Sequence, residues 1–486
     1  MTSKRAAIER RFIRRLRPDR NHIPLRSMGH SRSPGGEADP ARERIEALME
    51  RESDRFRRAH PRSRRLFERA RRSLLAGVPM NWMVMWPGGF PVFVREGRGA
   101  RVRDVDGLEY VDFCLGDTGA MFGHSPPEVV KAVSRQLDRG ITTMLPVEAA
   151  VWVAEELARR FGLPYWQMTL TATDANRFAI RIAREVTGRP KILVFDGCYH
   201  GTVDETLVGL DGTSVVPVPA NVGPPIDPRW TTKVVEFNDV HALQKALAPR
   251  DVAAVLAEPA MTNCGIILPE PRFHDRMRAL TRAAGTLLIL DETHTISEGP
   301  RGYTGAHGLR PDMVTLGKPV GSGIPAAAFG MTADIVDRAL PKLRGPGADE
   351  SGIGGTLAGN ALAAVAMKAT LQHRITERAY ARMIPNAERF AAGVEGVIEE
   401  FAAPWHIVRL GARVEYRFSP IAPRNGAEAL SRGAAALDRL VHLYLLNRGV
   451  LLTPFHNMAL MSPDTRRSDV DRHTRAFRAF AKELFG

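Results

Sequence analysis

Two residues with chemically capable side chains each follow a strand-like segment. Residues 286–290 form an apolar run, as in a buried parallel strand, and Asp291 comes directly after them. Residues 313–316 form a second such segment, followed by Gly317 and then by Lys318, 27 residues after Asp291. Because open α/β sheets bind ligands at the carboxyl ends of their parallel strands, we predict that Asp291 and Lys318 face one crevice.

Both residues have an ordinary interpretation and a chemical one. A lysine at the end of a buried strand is costly unless it has a task. Schiff-base formation is such a task, because desolvation frees the amine; the ordinary alternative for Lys318 is a surface position. A buried carboxylate needs a cation or good hydrogen bonds. For Asp291 this partner is a helix N-terminus or an ion pair in the ordinary case, and a pyridinium nitrogen in the chemical one.

Hydroxyl groups gather where a phosphate would bind. A predicted strand at residues 168–171 runs into Thr171, Ala172 and Thr173 and then into a predicted helix. Amides and hydroxyls at a helix N-terminus bind phosphate, although a simple threonine cap uses the same residues. Thr356, in a glycine-rich stretch before another helix, offers a second phosphate contact.

An aromatic residue follows a further strand-like segment. Residues 191–195 lead to Tyr199 and His200. A tyrosine at this edge of a sheet either stacks on a flat cofactor ring or packs in the core. Both interpretations stay open on the residues alone.

The segments that position these residues alternate in pattern. From about residue 125, short apolar runs alternate with amphipathic stretches, which predicts an α/β fold with a mainly parallel, doubly wound sheet. A charged helical region at residues 41–76 and a small antiparallel sheet at residues 91–113 precede it, and the C-terminal part returns to an α+β pattern.

The order and spacing of short motifs resemble the class III aminotransferases and, within them, the glutamate-1-semialdehyde aminomutase-like branch. The motifs are Tyr110-Val111-Asp112-Phe113, Gly123-His124, Thr187-Gly188-Arg189, Tyr199-His200-Gly201, Glu258-Pro259, Asp291-Glu292, Pro311-Asp312, Gly317-Lys318 and Gly355-Thr356. The resemblance covers roughly residues 62–482. It implies a fold-type I transferase with pyridoxal 5′-phosphate (PLP) as cofactor, and a homodimer with active sites at the subunit interface.

The resemblance implies a role for each residue that matches a family motif. Lys318 matches the lysine that holds PLP as a Schiff base and moves a proton between substrate and cofactor. Asp291 matches the partner of the pyridinium nitrogen. Tyr199, followed by His200, matches the aromatic residue that stacks on the ring, and Glu258 matches an acidic residue near cofactor and substrate.

At the positions that bind the phosphate and face the cofactor ring, this sequence matches the usual family residues only in part. Thr171-Ala172-Thr173 stands where the family usually has Ser-Gly-Thr, and Thr356 matches the residue that reaches the neighbouring subunit's phosphate. Thr293 stands where a valine commonly packs on the ring. His294 follows it, either as a structural residue or as one that tunes protonation beside the ring.

The most consequential departure lies at residues 81–86, where the aminomutase branch carries an arginine for the substrate carboxylate. The aligned position here is Trp82, with no arginine nearby. A tryptophan cannot form the bidentate pair of an arginine with a carboxylate, which argues against glutamate-1-semialdehyde as the substrate. Trp82, Trp86 and Asn263 are instead candidates for the substrate pocket. The two tryptophans are equally candidates for a dimer-interface patch.

The implied domain plan has four parts. They are a basic, disordered tail (1–40), the N-terminal segment of a small α+β domain (41–124), a large PLP-binding domain (125–375) and the C-terminal part of the small domain (376–486).

We predict an aminotransferase that moves an amino group between an amine or amino acid and a keto acid, aldehyde or ketone. The mechanism would be ping-pong, through a Schiff base on Lys318. A glutamate-1-semialdehyde 2,1-aminomutase and an amino-acid racemase or epimerase share the half-reaction and stay open as alternatives. A non-enzymatic binding protein would not need Lys318, Asp291 and Tyr199 together, and a dehydrogenase fails for want of an early Gly-x-Gly-x-x-Gly.

The positive charge of the chain is confined to one segment. The formal net charge is +14, and residues 1–72 hold 22 Lys and Arg against 10 Asp and Glu, so the other 414 residues carry only +2. The tail is interpreted as disordered or as extra sequence from an upstream start codon, with a nucleic-acid or membrane tether and a transit peptide as alternatives. We therefore expect no nucleic-acid partner for the fold.

The remaining composition bears on location. No apolar run is long enough to cross a bilayer, and no signal-peptide pattern opens the chain. The 3 cysteines show no metal-ligand spacing, and an odd number does not suggest a disulfide framework. These features favour the cytoplasm and a site without a metal.

Overall fold

The N-terminal part of the fold consists of two charged helices and a small sheet. The computed structural model describes residues 40–224 and 226–486, so the predicted tail lies almost wholly outside the described residues. Helices α1 (Pro40–Ala59) and α2 (Pro61–Ala70) replace the single helical region predicted at residues 41–76. The physical reason is Pro61, which starts a new helix because it lacks the amide that would continue the first one.

The small sheet is antiparallel over its first three strands, as predicted. These are β1 (Val94–Arg98), β2 (Arg101–Asp104) and β3 (Glu109–Asp112). A fourth strand from the far end of the chain, β15 (Val450–Leu451), pairs in parallel with β3. The N-terminal and C-terminal parts of the chain therefore share one sheet.

Seven strands form the large sheet. They are β4 (Tyr165–Thr169), β5 (Lys191–Phe195), β8 (Thr232–Val235), β9 (Val252–Ala257), β10 (Leu287–Asp291), β11 (Met313–Leu316) and β12 (Ala327–Met331). Their order is β4-β12-β11-β10-β9-β5-β8, and β12 alone runs against its neighbours. The predicted α/β class with a mainly parallel sheet is confirmed.

The helices and minor strands complete the compact unit, which spans Arg44–Gly486. The helices are α3 (Pro127–Leu137), α4 (Glu148–Phe161), α5 (Ala172–Thr187), α6 (Val240–Leu247), α7 (Phe273–Ala284), α8 (Gly302–Ala306), α9 (Ala333–Arg344), α10 (Ala361–His373), α11 (Glu377–Glu400), α12 (Gly426–Ser431), α13 (Ala435–Leu446) and α14 (Arg467–Phe485). A hairpin consists of β6 (Val208–Asp211) and β7 (Ser214–Pro217), and β13 (His406–Leu410), β14 (Arg413–Arg417) and β16 (Met458–Leu460) form a C-terminal antiparallel sheet. The predicted boundaries between the small and large domains stay a prediction.

The centre of the large sheet is closed to solvent. Every residue of β9, β11 and β12 is buried, which requires cover on both faces of the sheet and explains their continuous apolar runs. β10 and β11 are parallel neighbours with Asp291 opposite Thr315. The chain therefore leaves both strands at the same edge, with Asp291 at the end of one and Lys318 just beyond the other.

Two classes of feature are absent from the part of the chain that the structure describes. None of its helices is long and apolar enough to cross a membrane. No group of three or more His, Cys, Asp and Glu side chains there has an arrangement that could hold a metal ion.

Arg160, near the end of α4, joins three separate segments. Its guanidinium donates to the carbonyls of Pro300 (3.0 Å), Leu371 (2.9 Å) and Ile375 (2.9 Å), and its side chain is only 6% exposed. We expect Arg160→Met to lower the free energy of unfolding by about 2–4 kcal/mol, because three carbonyls, two of them in buried hydrogen bonds, lose their donor and Glu156 loses an ion pair. Urea denaturation of the purified protein measures this.

The neighbouring residue provides a matched control. The Arg159 side chain is 68% exposed and pairs only with Glu156 within its own helix. Arg159→Met should change the free energy of unfolding by less than about 1 kcal/mol. Equal losses in the two variants would contradict the role assigned to Arg160.

Candidate active site

Two adjoining cavities lie where the large sheet ends. The first, of about 310 Å³, is named the Asp291 cavity, and the second, of about 320 Å³, is named the Arg413 cavity, each after one residue in its wall. They share Trp82, Tyr199, His294 and Lys318. Lys318 therefore contacts both spaces.

The structure brings most of the predicted site residues to these walls. The Asp291 cavity is lined by Thr171, Ala172, Thr173, Tyr199, His200, Asp291, Thr293, His294 and Lys318, among others. The Arg413 cavity is lined by Trp82, Glu258 and Asn263 in addition to Lys318. Two predicted residues line neither cavity: Thr356 is exposed and Trp86 is half-buried elsewhere.

Asp291 is a buried carboxylate with a full set of donors. Asn176 Nδ2 donates to its Oδ2 (2.8 Å), the Thr293 amide donates to its Oδ1 (3.0 Å), and His200 Nδ1 lies 3.0 Å from Oδ2. Burial opposes ionisation, but the hydrogen bonds from these residues outweigh it and lower the pKa of Asp291 to about 2. An anionic carboxylate at neutral pH is what a protonated pyridine nitrogen requires.

Asn176 was not predicted from the sequence. It lies inside α5, where no local pattern distinguishes it, and its Oδ1 accepts a hydrogen bond from Thr315 Oγ1 (2.6 Å). The amide thus joins β11 to the carboxylate at the end of β10. Only the packing of the helix on the sheet creates this contact.

Lys318 has two polar partners at its amine. Nζ donates to Asp117 Oδ2 (2.6 Å) and lies 2.8 Å from His294 Nε2. Its backbone φ is +48°, which is uncommon for a residue other than glycine and recurs at functional sites, where the surroundings hold the strained conformation. Asp117 was not predicted either, since it lies 201 residues away in the chain.

The start of α5 forms the far wall of the Asp291 cavity. Thr171 caps the helix by accepting from the Asp174 amide (3.1 Å), and the Thr202 amide donates to Thr173 Oγ1 (3.1 Å). Because of this cap, the helix begins at Ala172, earlier than predicted, and β4 ends at Thr169 rather than at residue 171. The positive end of the helix macrodipole thus faces the cavity.

Arg413 is an arginine in the wall of the cavity named after it, and it was not predicted from the sequence. It lies on β14, is 1% exposed, and its Nη2 donates to Thr118 Oγ1 (2.6 Å) and His294 Nδ1 (2.9 Å). The residue was missed because β14 lies far along the chain. The alternation of Arg413, Glu415 and Arg417 on one strand was the available signal, since a row of charges on a single face of a buried strand is unusual.

The two titratable groups beside Lys318 and Arg413 are shifted in opposite directions. Burial, together with the positive charges of Lys318 and Arg413, holds the pKa of His294 well below its usual range, so this ring is neutral. Burial raises the pKa of Glu258 to about 7, although the positive charge of His200 and hydrogen bonds from Thr262 oppose this shift. Glu258 can therefore gain or lose a proton near neutral pH.

The residues of the Asp291 cavity fit PLP. The anionic Asp291 suits the protonated ring nitrogen, the Lys318 amine suits the aldehyde carbon, and the capped start of α5 suits the phosphate. His200 Nε2 and Thr293 Oγ1 are buried and have no hydrogen-bond partner among the described residues, so each has capacity left for a ligand.

Glu258 should make stability depend on pH. Its pKa is raised on folding, so its contribution to the free energy of unfolding is fully present below the usual pKa of 4.5 and is lost as the pH rises through about 7. Glu258→Gln cannot ionise. Relative to the parent, it should therefore gain up to about 3 kcal/mol between about pH 5 and about pH 8, as measured by urea unfolding.

Glu155→Gln is the control, because Glu155 is exposed on α4. The difference between this variant and the parent should be the same at both pH values. A pH-independent difference for Glu258→Gln as well would show that Glu258 is ionised throughout.

Comparisons with known proteins identify the family. Residues 85–461 match the family "Aminotransferase class-III". A glutamate-1-semialdehyde 2,1-aminomutase from Anaeromyxobacter dehalogenans is 34% identical over 431 residues, which cover 86% of this chain and 98% of that protein.

Solved structures agree. A glutamate-1-semialdehyde aminomutase from Pseudomonas aeruginosa PAO1 is 52% identical with a TM-score of 0.89, over 91% of this chain and 99% of that one, and its lysine-to-alanine variant was solved in complex with PMP. An omega-transaminase from Sphaerobacter thermophilus is 30% identical with a TM-score of 0.79, over 87% of this chain and 98% of that one. The chain belongs to the class III aminotransferase family, in its glutamate-1-semialdehyde aminomutase-like branch, and has the fold of the type I PLP-dependent transferases.

Proposed function

We propose that the protein is a PLP-dependent aminomutase of the glutamate-1-semialdehyde 2,1 type. Such an enzyme exchanges an amino group and an oxo group on adjacent carbons of one substrate. The observation that carries the proposal is the position of Lys318 between the Asp291 cavity and the Arg413 cavity. The names of the relatives favour this activity over the aminotransferase that we predicted first.

The Asp291 cavity would hold the cofactor. PLP, when bound, supplies an electron sink for the electrons of a bond broken at the substrate carbon. Asp291 keeps the ring nitrogen protonated because its own pKa is low. Tyr199 offers its ring to the cofactor ring, and Thr171 and Thr173 at the start of α5 orient the phosphate.

Proton movement would fall to Lys318 and Glu258. The Lys318 amine stands at the junction of the two cavities, where it can move a proton between a substrate carbon and the cofactor. Glu258 lines the Arg413 cavity, and its pKa of about 7 suits it to exchange a proton at neutral pH. For Lys318 and Glu258 alike, proton transfer requires that the side chain lies close to the reacting atoms as well as having a suitable charge.

His294 would orient the lysine. Arginine only donates hydrogen bonds, so Nδ1 of His294 must accept from Arg413, and the ring proton then sits on Nε2, which faces Lys318 Nζ at 2.8 Å. This proton can be donated to the lone pair of the lysine whenever the amine is neutral. Arg413 thus sets the tautomer of His294, and His294 sets the direction of the amine.

An aminotransferase is the second candidate, and the walls of the Arg413 cavity favour it. Trp82 lies edge-on to Tyr199 (5.5 Å between ring centroids) and to Phe455 (5.6 Å), which suits an apolar or aromatic substrate. The omega-transaminase from Sphaerobacter thermophilus shares the fold and 30% of the residues.

We further propose a homodimer in the cytoplasm. Thr356 is exposed and lies outside both cavities, as expected of a residue that reaches the phosphate site of a second subunit. All three cysteines are free thiols, which suits a reducing compartment.

The direct test supplies glutamate-1-semialdehyde to the protein loaded with PMP, the amine form of the cofactor, which carries the amino group that the aldehyde carbon receives. An aminomutase yields 5-amino-4-oxopentanoate without any added amino donor or acceptor, which chromatography of the products detects. Formation of product only when a separate amine and carbonyl compound are added would contradict the aminomutase and leave the aminotransferase.

Lys318→Ala should abolish both chemistry and the visible absorbance of the lysine-bound cofactor. We expect turnover to fall by at least about a thousandfold, because the residue that binds the cofactor and moves the proton is lost. Lys342→Ala, at an exposed position of α9, is the control and should keep both signals. Retained turnover in Lys318→Ala would refute the role of this lysine.

A further inference from the structure

A strained turn lies beside the Arg413 cavity. Its four consecutive residues, Leu115, Gly116, Asp117 and Thr118, have positive φ values of 45°, 60°, 50° and 82°. Such values are rare for leucine and for a β-branched threonine, and strain of this kind persists only where the surroundings hold it. Here Asp112 Oδ1 accepts from the Leu115 amide (2.8 Å), and the Leu115 side chain is fully buried. The turn is therefore fixed in place.

The turn brings a carboxylate to the amine of Lys318. Asp117 Oδ2 accepts a hydrogen bond from Lys318 Nζ (2.6 Å), and Asp117 lines the Arg413 cavity. The next residue, Thr118, accepts from Arg413 Nη2 (2.6 Å), which ties the turn to β14. Burial opposes ionisation of Asp117, but the charge of Lys318 outweighs it and holds the pKa of this carboxyl well below its usual range. Asp117 is thus an anion in contact with the lysine nitrogen.

No other negative charge among the described residues contacts this nitrogen. The second partner of Lys318 Nζ is His294 Nε2 (2.8 Å), whose ring is neutral because burial and the nearby cations lower its pKa. The remaining titratable groups that the structure describes in the two cavity walls form no hydrogen bond or ion pair with Nζ; they are Tyr199, His200, Glu258, Asp291, Arg413 and His456. The charge at the lysine nitrogen therefore depends first on Asp117.

The groups around Asp117 favour its negative charge. Lys318 and Arg413 are cations, and His294 contacts both of them. The buried thiol of Cys114 stays neutral, because burial raises its pKa to about 12. Asp117 therefore remains an anion near neutral pH.

A charge on the lysine nitrogen matters to the chemistry at the cofactor. A lysine that holds PLP is joined to it through a C=N bond, and a proton on that nitrogen draws electrons from the bonded carbon. When a substrate amine enters, its nitrogen adds to this carbon, the bond to the lysine breaks, and a proton of the incoming amine passes to the departing lysine nitrogen. An anion in contact with the nitrogen favours the protonated, more reactive form, because opposite charges attract strongly in a buried site.

We propose that Asp117 keeps the Lys318 nitrogen protonated while this lysine holds the cofactor, and thereby makes the cofactor carbon receptive to amines. Once an amine has displaced the lysine, the same carboxylate holds the free Lys318 amine at the junction of the two cavities. Asp117 is a positioning residue in this account, since it acts through Lys318. The inference rests on the assignment of Lys318 as the cofactor lysine, and it applies to an aminomutase and to an aminotransferase alike.

The first experiment titrates the full-length, PLP-loaded protein with pH and follows its visible absorbance, because the protonated and neutral forms of the lysine-bound cofactor absorb at different wavelengths. Asp117→Asn removes the charge, keeps the size of the side chain and places a residue that tolerates a positive φ. The pH midpoint of the absorbance change should fall by about one to three units relative to the parent, the usual effect of one adjacent opposite charge. Circular dichroism and thermal unfolding check that the variant is folded.

Asp138→Asn, at an exposed position after α3, is the matched control and should leave the midpoint unchanged. The same midpoint in Asp117→Asn and the parent would overturn the proposal. Absence of the lysine-bound absorbance in the parent would instead overturn the assignment of Lys318, and this inference with it, so the two failures are distinguishable.

The second experiment measures how fast hydroxylamine displaces the lysine, by stopped-flow absorbance. Hydroxylamine attacks the cofactor carbon as a substrate amine does, but it needs no substrate recognition. At a pH midway between the two midpoints, Asp117→Asn should react at least about threefold more slowly than the parent, because less of its cofactor is protonated. One unit or more below both midpoints, the two rates should agree within about twofold.

Equal slowing of Asp117→Asn at every pH would contradict the proposal. It would show that Asp117 only supports the turn or the position of the lysine, because a loss of that kind does not depend on the protonation of the lysine-bound cofactor.

Discussion

The parallel pairing of β10 with β11 is the constraint on which the active site depends. It places Asp291 opposite Thr315 and brings the chain out of both strands at one edge of the sheet. Every other contact is built on that edge: Asn176 joins Thr315 to Asp291, and Lys318 turns back through a left-handed φ to meet Asp117 and His294. A slip in the register of these strands would separate the carboxylate from the lysine.

Charge balance explains how such a polar site persists inside the fold. Asp291 stays anionic through its donors, and His294 stays neutral between two cations. Arg413 is nearly inaccessible: its Nη2 donates to Thr118 and His294, and its Nη1 contacts the sulfur of Met458. The site is therefore arranged as two cavities, one suited to the cofactor and one open to a substrate, with the lysine amine between them.

Site residues could be predicted from the sequence where their positions depend on the adjacent strand, and not where they depend on contacts between distant segments. Asp291, Lys318 and Tyr199 follow strands, so the apolar runs predict their common edge, and the family resemblance gives their roles. Asp117, Asn176 and Arg413 depend on packing between distant segments; Arg413 and His294, for example, are 119 residues apart. The ends of helices and strands differ by a few residues from the predicted ones where a capping residue or a proline sets the end, as at Thr171 and Pro61. The prediction of an aminotransferase is less well supported than the alternative of an aminomutase. The sequence could not separate them, because the two activities share the chemistry at the cofactor ring and the residues around that ring.

Reductive trapping of the cofactor tests the central claim most directly. The full-length protein is incubated with PLP, treated with borohydride to fix the cofactor covalently, digested and analysed by mass spectrometry. The account predicts that the modified peptide contains Lys318 and that prior exposure to an amine substrate removes this label. Modification of other lysines with Lys318 left free would contradict it.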